Sequence, residues 1–139
     1  MRINIYLAFV LFLVNCGSAN KHDQYLTKIN NVTKSSCATG YEYSFSVAGN
    51  NVSILYNSPH TELATYTAVL SDLQFSWNTL SGGVEGGIDH EVIIACPGLG
   101  DDCWVSKSGE KSRITIEIKG EEAAQSLLSN LSYLKGLSE

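Results

Sequence analysis

The side chains in this chain with acid–base, nucleophilic or metal-binding chemistry are few, and their spacing favours little of it. The histidines are His22, His60 and His90. None stands at helical i, i+4 spacing from another metal-type ligand, the arrangement that lets two side chains close on one ion. Asp89-His90-Glu91 is the densest ionisable triplet. On a strand its side chains alternate, so His90 is expected to point away from both acids and the three do not converge. A catalytic alternative is a secreted hydrolase using His60 or His90 with a carboxylate such as Glu62 or Asp89, and it requires one of these histidines to lie in a concave pocket beside a second titratable group. No G-x-S-x-G elbow is present. Asp101-Asp102 follows Gly100 without the alternating acids of a calcium loop and reads as a turn. No metal, no cofactor and no catalytic residue is therefore expected.

The cysteines are Cys16, Cys37, Cys96 and Cys103. Cys96 ends one predicted strand and Cys103 opens the next, which brings their Cα atoms within bridging range, so a structural disulfide is expected between them. No C-x-x-C spacing suggests a redox site. Cys37 is then a free thiol at the start of the domain, a link to a second chain, or the partner of Cys16 if that residue is kept and unmodified.

The amino end supplies the address. Arg2 precedes an apolar run from Ile5 to Val14, ten residues long and far short of the ~20 needed to span a bilayer. It reads as a cleavable signal peptide. Leu13-Val14-Asn15-Cys16 resembles the lipobox of bacterial lipoprotein precursors, with Leu three residues before the cysteine and Asn15 standing where Gly, Ala or Ser is usual. The resemblance covers sixteen residues. It implies lipidation of Cys16, cleavage before it, and a protein moored in the cell envelope outside the cytoplasm. The alternative is secretory cleavage after Ala19, with Gly17 and Ala19 as the small residues, which releases a free protein.

Charge narrows the partners. The net charge is −5, and no Lys or Arg occurs between Lys34 and Lys107, a stretch that holds eight acidic residues. Nucleic acid and anionic headgroups need clustered cations, so neither is an expected partner. What remains is the membrane, through the lipid on Cys16, and a possible protein partner. Three Asn-x-Ser/Thr patterns, at Asn31, Asn51 and Asn130, matter only in a eukaryotic source.

The elements that must position these groups come from periodicity. Residues 1–15 are read as the signal peptide, 16–36 as a flexible tether with at most a helical turn near Tyr25, Leu26 and Ile29, and 37–139 as one domain. Tyr41, Tyr43, Phe45 and Val47 alternate with polar residues, and Val52, Ile54 and Tyr56 resume that alternation after Gly49-Asn50-Asn51, which predicts a hairpin. Further strands are expected over Leu63–Leu70, Leu73–Trp77, Val92–Ala95, from Trp104, and over Arg113–Lys119. Leu80–Gly87 carries four glycines and is read as a mobile loop and candidate contact surface. Trp77 and Trp104 are read as core or sheet-face residues. Ala124, Leu127, Leu128, Leu131 and Leu134 form one helical stripe, predicting an amphipathic helix over 121–136 that covers the sheet. The fold class is mainly β (α+β): a bent antiparallel sheet or sandwich of about seven strands capped by one C-terminal helix. By element order alone this resembles the pleckstrin-homology-like architecture; a plain β-sandwich with an appended helix is the alternative. The first hairpin has no Lys or Arg, so that family's phosphoinositide binding is not implied. A non-catalytic binding module is the expected role, with a freely secreted, disulfide-stabilised binding or inhibitory protein as its anchor-free counterpart.

Overall fold

A computed structural model describes residues 21–84, 87–98 and 100–138. The segment read as a signal peptide, residues 1–15, and Cys16 lie outside the described residues. Within them the chain is mainly β, with two antiparallel sheets and a helix at each end. Helix α1 spans 21–36. Then follow β1 (Glu42–Ala48), β2 (Asn51–Ser58), β3 (Thr61–Val69), a 3-10 turn at Leu70–Asp72, β4 (Gln74–Val84), β5 (Ile88–Ala95), β6 (Trp104–Ser106), β7 (Gly109–Lys111), β8 (Arg113–Ile118) and α2 (Glu121–Gly136). The larger sheet runs β1-β2-β3-β6-β7 and the smaller β4-β5-β8.

The alternation read in the sequence sets the registers. Tyr43 lies opposite Tyr56, Phe45 opposite Ile54 and Val47 opposite Val52, so the hairpin places its apolar row on one face. In the smaller sheet Val92 pairs with Ile116 and Ile94 with Ile114, again on a common face. Both inner faces join one core, with Trp104 fully buried inside it. Three links tie sheet to sheet. Trp104 Nε1 donates to Ile94 O at 3.2 Å, the Tyr43 hydroxyl donates to Thr115 O at 3.3 Å, and the Cys96–Cys103 disulfide joins the end of β5 to the start of β6.

Helix α2 has its apolar stripe, Ala124, Leu127, Leu131 and Leu134, buried. It packs on β4, β5 and the 3-10 turn. Glu121 and Glu122 sit in its first turn and Lys135 in its last, as the helix dipole favours.

Three readings of the sequence need correction. The stretch taken for a tether is helical across 21–36: Tyr25, Leu26, Ile29, Val32 and Thr33 fall on one face, and Ile29 is fully buried. Tertiary burial outweighs the weak helix propensity of its Asn, Thr and Ser residues. That helix also stands ahead of the first strand, so the sheet is not followed by a helix alone but flanked by two. Finally, the glycine-rich stretch is not wholly loop, because β4 continues to Val84. The register shift between Thr79 and Val84 is where the extra residues are absorbed.

Candidate binding site

Two concavities stand out, one beside α1 and β1 and the other beside β3 and β7. The first is built by α1. Asn30 projects its amide onto β1: Phe45 N–H donates to Asn30 Oδ1 at 2.7 Å, and Asn30 Nδ2 donates to Phe45 O at 3.0 Å. One turn on, the buried Thr33 hydroxyl donates to Tyr43 O at 3.1 Å. The helix thus takes the place of a neighbouring strand along the outer edge of β1. It ends where Cys37 N–H bonds Thr33 O, and the chain turns through Ala38–Gly40 with Tyr41 N–H bonded to Ala38 O. Gly40 has φ +84°, and a Cβ there would stand 2.8 Å from Pro59, so only glycine fits this corner.

Between the end of α1, this corner and the first hairpin lies a cavity of about 530 Å³, bordered by Asn30, Lys34, Cys37, Tyr41, Glu42 and Asn57. Its volume is in the range of small-ligand sites. Burial pushes the Cys37 thiol up to about 12, so it stays protonated and unreactive at neutral pH. Burial likewise holds the Tyr43 hydroxyl well above the usual phenol range, with Tyr56 adding to the effect. Among the groups named as bordering the cavity, Lys34 and Glu42 carry its charge. The chemistry on offer is hydrogen bonding and aromatic contact around one cation and one anion.

The second concavity holds Tyr56, Tyr66, Lys111 and Arg113 in about 240 Å³, and an adjoining hollow of about 210 Å³ shares Tyr56, Tyr66 and Lys111 and adds Glu62 and Leu63. Lys111 Nζ sits 4.8 Å from the centre of the Tyr66 ring, a cation–π contact. Burial alone would raise the Tyr66 hydroxyl, but hydrogen bonds from Ser108 and Lys111 and the lysine charge outweigh it and lower its pKa. Lys111 ends β7 and Arg113 begins β8, and Ser112 between them is held by the disulfide corner, since Cys96 N–H donates to Ser112 O at 2.8 Å.

The sequence-predicted residues are placed as follows. Cys96 and Cys103 are bonded, with Cα atoms 5.6 Å apart. Cys16 lies outside the described residues, and Cys37 is a free thiol. His60 is exposed at the β2–β3 turn. His90 is buried on the inner face of β5, its ring 5.2 Å from that of Trp77. The expectation that His90 and Asp89 diverge fails: Asp89 Oδ1 reaches back to His90 Nδ1 at 2.8 Å and also accepts the Gly120 N–H at 2.7 Å. Asp89 sits at the second residue of β5, where the strand end leaves its short side chain room to fold over. Gly120 N–H, then His90, holds the Asp89 carboxyl below its usual range. The pair is a brace between β5 and the start of α2, and neither histidine borders the cavities above. Among the described residues no group of three or more His, Cys, Asp or Glu side chains is placed to hold a metal ion.

Asn30, Thr33 and the Tyr66–Lys111 contact were not read from the sequence. The first two had a legible signal, the Tyr25-Leu26-Ile29-Val32-Thr33 stripe. The third joins β3 to β7 across the fold and had none. Compared with protein-family models, curated proteins and solved structures, the chain has no match.

Proposed function

We propose that this chain is an exported protein moored in the cell envelope by lipid on Cys16, acting as a non-catalytic binding module whose ligand or partner segment enters the cavity between α1 and β1. The observation that carries the reading is the Cys96–Cys103 disulfide, which fits a non-reducing compartment outside the cytoplasm and agrees with the export signal read in residues 1–15. No described helix is long and apolar enough to cross a membrane; on this reading the lipid on Cys16 makes the attachment. A lipoprotein cysteine with two or more acyl chains anchors stably where a single chain does not. The binding role is supported by a cavity whose cysteine and inner tyrosine are held neutral, a lining suited to recognition and poor in acid–base chemistry.

The test is the intact mass of the mature product from the membrane fraction, beside detergent partitioning of the wild type and Cys16→Ser. The expected product begins at Cys16, carries added acyl mass and partitions into detergent, while the variant stays aqueous. A product beginning at Asn20 without added mass, or an unprocessed precursor in the cytosol with reduced thiols, overturns the anchoring.

A further inference from the structure

Two antiparallel sheets have four edges, and a bare edge is a template for pairing with another strand. Three edges here are managed over part or all of their length. On β1 the outward groups are those of Tyr43, Phe45 and Val47, and α1 takes Tyr43 O through Thr33 and both groups of Phe45 through Asn30. On β8 the Tyr43 hydroxyl takes Thr115 O, Lys119 N–H donates to Ser36 O at 2.7 Å, and Cys37 bridges to Ile118. The edge strand β7 is three residues long, exposed throughout, and carries Glu110 and Lys111.

The fourth edge is β4, and among the described residues none of these devices covers it over Gln74–Thr79. That segment, Gln-Phe-Ser-Trp-Asn-Thr, contains no charge and no proline. The direction of its backbone groups follows from the registers. Cys96 N–H bonds Ser112 O, so the even residues of β5 face β8 and the odd ones face β4. Gln74, Ser76 and Asn78 pair with Ala95, Ile93 and Glu91. The N–H and C=O groups of Phe75, Trp77 and Thr79 therefore point away from the sheet. Leu73 O, on the same side, is already taken by Lys135 Nζ at 3.0 Å, which marks where the covered part of the edge stops. Phe75 and Trp77, on the inner face, are only partly buried although both belong to the margin of the core.

We infer that β4 pairs with β4 of a second copy of this chain, antiparallel about Trp77, joining two three-stranded sheets into one of six strands. The outward groups are self-complementary about that residue: Trp77 meets Trp77 of the second copy, Phe75 meets Thr79, and roughly six backbone hydrogen bonds form. On the outer face Ser76 falls opposite Asn78. Although each chain is acidic overall, this segment sets no like charges against each other, which is what suits it to a copy of itself. The α2 helices of both copies lie on one face of the joined sheet.

Sedimentation velocity of the Cys16→Ser mature chain across a concentration series tests this, independently of lipid anchoring. The expected species is a dimer that falls apart in SDS without reductant. Thr79→Pro removes an outward N–H that β5 does not use, so the fold is kept while the dimer dissociation constant rises by at least about ten-fold. The pair S76K/N78K sets lysines against each other across the two-fold and gives monomer; S76E/N78K sets opposite charges there and restores the dimer. A monomer at all concentrations overturns the inference. So does a dimer indifferent to these variants, a dimer surviving SDS as a Cys37-linked species, or pairing of β4 only with a strand of a different protein.

Discussion

Removing the Asn30 amide tests whether α1 is part of the sheet's hydrogen bonding or merely laid beside it. In Asn30→Ala, Phe45 loses the acceptor of its N–H at 2.7 Å and the donor to its C=O at 3.0 Å. A buried backbone group left unpaired costs about 1–3 kcal/mol; the site is only part-buried, so water recovers some of it and the two together cost about 2–3 kcal/mol. For a domain of this size that lowers Tm by roughly 8–12 °C. Asn30→Asp is the sharper variant. Its carboxylate still accepts from Phe45 N–H but sets a second oxygen against Phe45 O, with no proton between them. At pH 7 it is expected to destabilise as much as alanine, and acidification that protonates the carboxyl restores a donor and part of the stability. The folded-state pKa of the new group is raised, so its contribution is present below the unfolded value and lost as pH rises through the folded one. Urea denaturation with the disulfide intact reads both. A change under about 0.5 kcal/mol in the alanine variant, or an aspartate variant that regains stability on the alkaline side, refutes the role given to α1.

Three other expectations follow from the same contacts. The Cys37 thiol, moved from 9.0 to about 12, has about a thousand-fold less thiolate near neutral pH; higher nucleophilicity returns about twenty-fold, so alkylation in the native protein is expected about fifty-fold slower than in urea, and equal rates would show the thiol to be open. Replacing Cys96 and Cys103 by serine opens a loop of separation seven and is expected to cost about 2.5 kcal/mol in calorimetry, since so short a ring constrains the unfolded chain only modestly. The Asp89 carboxyl is held below its ordinary 3.8 by Gly120 N–H and His90, so its contribution is present above that value and lost as pH falls through the folded one; Asp89→Asn should flatten the stability curve on the acid side, and an unchanged acid limb would remove the brace from the account.

Much of this architecture was legible because local period and burial agree. β1, β2, β8 and α2 each bury one face only, and a period of 2 or 3.6 survives in their residues. The disulfide was legible because its cysteines flank a short turn between two strands. What failed to show has a common cause: it depends on partners far along the chain. Helix α1 is made largely of poor helix formers and is fixed by Ile29 in the core and by Tyr25 stacked on Tyr133 at 5.5 Å, a contact between residues more than a hundred positions apart. The end of β4 looked like loop because glycine weakens a strand, yet Val84 still pairs with Ile88 beyond the register shift. The first cavity was hidden for the same reason, since it exists only where α1 meets β1.

The helix that sequence missed changes what anchoring would mean. With 16–36 as a free tether, a lipid on Cys16 would hold the domain on a long, loose leash. With the helix beginning by residue 21, four residues separate Cys16 from it, five Cα-to-Cα steps that reach at most about 18 Å even when fully extended. The helix is in turn fastened to the edge of β1 by Asn30 and Thr33 and to α2 through the tyrosine stack. On the proposed attachment, the bilayer is therefore coupled to the sheet through one short rigid lever whose far end forms a wall of the 530 Å³ cavity. A ligand that moved Lys34 or the 37–40 corner would act on the element nearest the membrane, and lateral confinement of such moored copies would raise the concentration at which one β4 edge meets another.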